Sequence, residues 1–143
     1  MANDGMTKSQ DVVVALKLCL AGTERSFATL AKESGMSASE VHGSFSRLAE
    51  AKLLDADTRT IWRKALLEFL IYGVPHAFPV QPREVTRGVA TAWAAPVMAG
   101  KVQGGEESSP VWPDSEGTRQ GVAVEPLYRS VPVAAKNDAS LYD

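Results

Sequence analysis

Between Ser26 and Leu54 the sequence marks out two helices joined at a glycine. Ser26 precedes Phe27, Leu30 and Ala31, apolar positions that fall on one side of a short helix. Gly35 follows, and glycine most readily takes the left-handed conformation of a sharp helix stop. Ser37 and Glu40 then form an S-x-x-E capping box, in which each side chain can satisfy a backbone N–H of the first turn. The second helix is thereby told where to begin.

The phase of that second helix decides how the unit would be used. At 100° per residue, Val41, Phe45 and Leu48 share one face and are expected in the core. The opposite face carries Ser39, His42, Gly43, Ser46 and Glu50, with Arg47 at its flank. These outward residues are small or polar and would not obstruct a close approach to a groove. A short helix, a glycine turn and a second helix with such an outer face make a helix-turn-helix. The second helix is then the candidate reader of base edges in the DNA major groove.

Leu30-Ala31, Gly35-Met36-Ser37, Glu40-Val41, Arg47-Leu48 and the exit Ala51-Lys52-Leu53-Leu54 carry a family likeness. The stretch resembles the winged helix-turn-helix domains of bacterial transcriptional regulators, broadly the MarR-like group. The resemblance covers about a third of the chain. It implies a regulator that binds double-stranded DNA sequence-specifically as a homodimer, reading two half-sites about one helical turn apart. On that reading Ser37, Ser39, His42, Ser46 and Arg47 face bases and nearby phosphates, while Thr29, Lys32 and Arg59 clamp the backbone. A winged domain should next show a β-hairpin with a basic tip. Only Asp55 to Thr60 separate Leu54 from the next apolar pattern, so the wing is very short or missing. Arg59 and Arg63 stand near the same edge as substitutes.

The flanking helices follow from periodicity. Thr7 or Ser9 should cap a helix over 11–21 that stops at Gly22. Its apolar surface is broad, with Val12, Val13, Leu16 and Leu20 in one stripe and Val14 and Leu18 widening it. Such a helix suits burial between the reading unit and something else, such as a second subunit. Trp62, Ala65, Leu66, Phe69 and Leu70 predict a further helix, capped at Asp57 or Thr58 and ending before Gly73 and Pro75. Trp62 is expected in a core or an interface.

All 8 prolines lie beyond Gly73, which disfavours long helices there. The expected organisation is a helix-turn-helix domain over 7–72 and a Pro-rich extension over 73–143. The fold class is mainly α with a small β-containing C-terminal part. Val74–Val80 and Val85–Val97 read as short extended segments, and Lys101–Pro110 as a loop. Val111-Trp112 and Val122–Val124 read as a hairpin, and Ala134–Tyr142 as the start of another helix. The extension is a candidate dimerisation or partner-binding arm.

Composition bears on the partner. The net charge is −2, so DNA affinity would have to come from a local patch. Lys and Arg number nine against nine Asp and Glu through Tyr72, and six against eight beyond it. No phosphate-binding glycine loop occurs. One cysteine, Cys19, and two separated histidines, His42 and His76, suggest neither a nucleophilic triad nor a metal site. No catalysis, cofactor or metal is therefore expected. No secretory segment opens the chain and no apolar run approaches the ~20 residues that span a bilayer, so a cytoplasmic protein is expected. Two rival readings remain. One is a protein-interaction module, antitoxin-like, that keeps the helix-turn-helix as a scaffold. The other is a small-molecule sensor using Trp93 or Trp112.

Overall fold

A computed structural model describes residues 7–21, 25–105 and 108–143. Gly22, the expected stop of the first helix, and Glu106-Glu107 of the expected loop lie outside the described residues. The chain is mainly α-helical, with a small β region in its C-terminal half. It divides into two compact units: residues up to Pro79 with Leu127–Tyr142, and Val80–Pro126. The helical unit therefore runs past the expected boundary at Gly73 to Pro79, and Leu127–Tyr142, expected in the extension, also belong with it.

The helical unit begins with α1 (Ser9–Ala21), α2 (Phe27–Ser34) and α3 (Ala38–Glu50). Gly35 ends α2 at φ 68°, the left-handed conformation expected of it. The capping box at the start of α3 is complete. The Glu40 N–H donates to Ser37 Oγ at 3.1 Å, and the Ser37 N–H donates to Glu40 Oε1 at 3.2 Å. Val41 and Leu48 are buried as the phase required, and Phe45 is half-buried. They join Val13, Val14, Leu18, Leu30, Leu53, Ile61 and Leu66 in one apolar core.

After α3 the chain forms a minimal two-stranded ribbon, β1 (Leu54–Asp55) with β2 (Thr60–Ile61), paired antiparallel. Asp55 Oδ1 accepts from the N–H groups of Asp57 and Thr58 at 2.9 and 3.3 Å. Those two residues thus serve the turn of the ribbon and do not cap the next helix, as periodicity had suggested. That helix, α4 (Arg63–Tyr72), starts from Trp62 with no side-chain cap. Trp62 is 56% exposed and so lies outside the core. A short helix, α5 (Val74–Ala77), replaces the extended segment expected at Val74. Pro75 sits in its first turn, where the missing N–H leaves no intrahelical bond unmade.

The chain returns to this unit as α6 (Val131–Asn137) and α7 (Ala139–Tyr142), which pack on α2 and α1 respectively. This return explains much of the breadth of the first helix. Val12, Val13, Val14, Ala15 and Leu18 are all buried, because α1 is packed by α2, α3, β2 and α7 of its own chain. Among the described residues no helix is long and apolar enough to cross a membrane.

The second unit holds β3 (Val85–Ala90), β4 (Pro110–Pro113) and β5 (Arg119–Ala123), with two 3-10 turns at Ala92–Ala94 and Pro96–Met98. β3 pairs antiparallel with both later strands. β4 and β5 pair parallel, Pro110 opposite Val122 and Val111 opposite Ala123, and close a three-stranded barrel. The expected hairpin between Val111 and Val124 is therefore not formed, because the long β3 serves both strands. So tight a closure requires backbones in contact. A Cβ on Gly88 would stand 2.0 Å from the Trp112 carbonyl oxygen. Gly88→Ala should destabilise this unit by about 1–3 kcal/mol, the usual cost of forcing a packed backbone to shift. Loss of amide protection confined to β3–β5, read by hydrogen exchange, is the expected result; unchanged protection would mean that the strands are further apart.

Candidate nucleic-acid interface

The helix α3 presents Ser39, His42 and Ser46 as an exposed strip, with Gly43 half-buried between them and Glu50 exposed at the far end. The capping box orients this strip from its beginning, since Ser37 Oγ is held to the Glu40 N–H. Ser37 itself is exposed. Four of the candidate contact residues therefore share one helix and its cap.

Arg47 does not join them. Its Nε lies 2.9 Å from Asp11 Oδ2 and its Nη2 lies 2.8 Å from Asp11 Oδ1. Asp11 is fully buried in α1, and the Arg47 side chain is only 11% exposed. Ser44, also buried, accepts from Gln10 Nε2 at 3.3 Å and from Arg47 Nη2 at 3.4 Å. The planar fork expected to face bases is instead the tie between α1 and α3. The cause is one helical turn's geometry: Arg47 lies three residues after the buried Ser44, on the edge of α3 that meets α1.

Arg59 is likewise held against the protein. It takes φ 58° at the turn of the ribbon, and its guanidinium lies 4.6 Å from the Phe27 ring centroid and 5.8 Å from that of Phe45. Its Nη2 donates to the Arg25 carbonyl at 3.0 Å. His42 meets the same Phe27 ring edge-on at 5.5 Å. Arg59 thus caps an aromatic pair beside α3 and remains half-buried there. On α2, Thr29 and Lys32 are exposed. The hydroxyls of Ser26 and Thr29 stand 3.0 Å apart at the start of that helix.

Two basic residues beside α3 were missed in the sequence. Lys8 and Arg129 line, with Gln10, Ser39, Gly43 and Tyr128, a shallow groove along the first turns of the helix. Arg129 Nη2 lies 3.2 Å from Glu40 Oε2, and the Tyr128 hydroxyl donates to the same oxygen. The Tyr128 hydrogen bond, followed by the Ser37 backbone N–H, holds the Glu40 carboxyl below its ordinary range. Burial first, and Glu40 second, push the Tyr128 phenol up. Nothing local in the sequence announces Arg129 here, since it is 89 residues from Glu40. Lys8 carried a signal, standing immediately before the first helix.

Chemically, the surface offers hydroxyls, one imidazole and flanking cations. Among the described residues, no three of His, Cys, Asp and Glu converge as metal ligands would. Cys19 is half-buried, and burial raises its thiol pKa, which disfavours the nucleophilic thiolate. Compared with known protein families, with curated proteins and with solved structures, the chain matches none.

Proposed function

We propose that the helical unit is a winged-helix-like, non-catalytic DNA-binding module of a transcriptional regulator that lays α3 into the major groove. One observation carries the reading: Ser39, His42 and Ser46 form an exposed, uncharged strip on a helix whose start is fixed by a capping box. Side chains of this size let a helix approach base edges closely, and hydroxyls and imidazole can pair with them. Lys8, Lys32 and Arg129 are the exposed cations placed to meet phosphates. Arg47 has no part in the readout, because Asp11 holds it. Arg59 acts through the short ribbon beside Phe27, as the wing of the module.

The test is a fluorescence titration of labelled duplex fragments at several salt concentrations. Ser46→Glu sets a carboxylate in the middle of the strip and should weaken binding more than about tenfold. Lys32→Ala should lower affinity for all duplexes alike and make the salt slope shallower by about one unit. Both positions are exposed, so the urea midpoint should not move. Wild-type protein that binds no duplex in dilute salt would end this reading. The interaction module would then stand in its place. It is favoured by the burial of Arg47, the one arginine in α3.

A further inference from the structure

The groove along the first turns of α3 has a volume of about 380 Å³ and is built from three parts of the helical unit. Lys8 and Gln10 come from the entry to α1, Ser39 and Gly43 from α3, and Tyr128 and Arg129 from the returning segment. Apart from Gly43, each of these carries a side-chain hydrogen-bond donor, and two are cations. Gly43 opens the floor to a third cation. A Cβ there would stand 3.3 Å from Arg47 Nη1, and its three nearest neighbours would all be atoms of the Arg47 guanidinium. Asp11 binds the Nε and Nη2 edge of that group, which leaves Nη1 beside the glycine.

Charge selects the ligand. Glu40 is the carboxylate that lines the groove, and it is already engaged. Its Oε1 accepts from the Ser37 N–H, and its Oε2 from the Tyr128 hydroxyl and Arg129 Nη2. Among the described residues the exposed Lys8 ammonium has no ion-pair partner, and Arg129 Nε and Nη1 make no hydrogen bond. Donors thus converge from three directions on a space with more positive than negative charge. A phosphate monoester brings close to two negative charges and three strong acceptor oxygens at neutral pH. A DNA linkage is a diester with a single charge and fewer free oxygens, and would leave part of this donor set unmatched.

We infer that this groove binds the phosphate group of a small phosphate monoester. Such a ligand shares Ser39, Lys8 and Arg129 with the duplex proposed above, so it also releases DNA; that consequence alone rests on the DNA-binding reading. The test is amide NMR of the isotope-labelled chain, titrated with inorganic phosphate at constant ionic strength. Saturable shifts should centre on Lys8, Ser39 and Arg129. Dimethyl phosphate, which has the charge of a DNA linkage, should bind about tenfold more weakly. Lys8→Ala and Arg129→Ala should each raise the phosphate dissociation constant about tenfold. Glu40→Gln keeps a capping-box side chain and removes the carboxylate facing the anion, so it should tighten binding about threefold. Gly43→Ala sets a methyl over the Arg47 guanidinium and should weaken binding, although alanine favours the helix. Amides outside the groove should stay as in wild type in all four variants. Shifts spread over every exposed lysine and arginine, or an affinity indifferent to Lys8→Ala and Arg129→Ala, would overturn the site. Equal affinity for dimethyl phosphate would overturn the monoester. Phosphate binding by a chain that binds no duplex supports the site and ends only the DNA reading.

Discussion

Asp11→Ala should destabilise the helical unit by about 3–5 kcal/mol, the usual cost of breaking a buried ion pair by removing one partner. Asp11 is fully buried and takes two bonds from Arg47 Nε, at 3.2 and 2.9 Å, and one from Nη2 at 2.8 Å. Its Oδ2 also accepts from the Lys8 N–H at 2.8 Å, closing the first turn of α1. Alanine would leave the guanidinium largely buried without its counter-charge, and the Lys8 donor without its acceptor. Arg47→Lys keeps the charge but loses the planar fork, so it should fall between wild type and Asp11→Ala. Replacing both partners by apolar residues should cost less than the two single changes together, because no lone charge remains. Urea denaturation followed by circular dichroism measures all of these. An unmoved midpoint in Asp11→Ala would show that the pair is open in solution, and Arg47 would again be a candidate for reading bases.

The same pair shows where sequence reasoning stops. The glycine turn, the capping box and the buried phase of α3 could be read because each depends on residues within a few positions. Val41 and Leu48 lie where the helical period put them, and Gly35 takes the left-handed conformation only glycine adopts easily. Arg47 could not be placed in this way. Its position on the helical wheel is at the flank, and only the buried carboxylate of Asp11, 36 residues away, decides which side it joins. Asp57 and Thr58 look like helix caps in isolation, yet Asp55 draws their N–H groups into the ribbon turn. The pairing of β4 with β5 is parallel because β3 spans both strands. A local alternation of apolar residues cannot express that.

The C-terminal segment was the least readable part, and its attachment gives the second large effect. Lys17 is only 2% exposed, yet its ammonium lies 2.8 Å from Glu33 and 2.6 Å from Asp138. Burial works against its charge, but the hydrogen bonds it donates to Asp138 and Glu33 outweigh burial and raise its pKa. Conversely, Lys17 holds both carboxyls below their ordinary values. The group thereby fastens α7 to α1 and α2, and the Asn137 amide adds a bond to the Glu33 carbonyl at 3.2 Å. Glu33→Gln with Asp138→Asn would leave the ammonium buried without a counter-charge and should cost about 3–5 kcal/mol. The sign of the pH dependence follows from the directions of the shifts. Depressed carboxyl values contribute stability that is complete above the ordinary carboxylate range, near pH 4, and lost as pH falls through the lower folded values. The raised lysine contributes stability that persists below its ordinary value and disappears only at higher, strongly alkaline pH. Acid should therefore release Val131–Tyr142 before the core opens. Hydrogen exchange at neutral and acid pH reads this directly: protection across α6 and α7 should drop in acid for wild type and be low already at neutral pH for the double variant. Equal protection in the two proteins at neutral pH would show that apolar contacts alone hold the segment, and that Lys17 is buried without fastening anything.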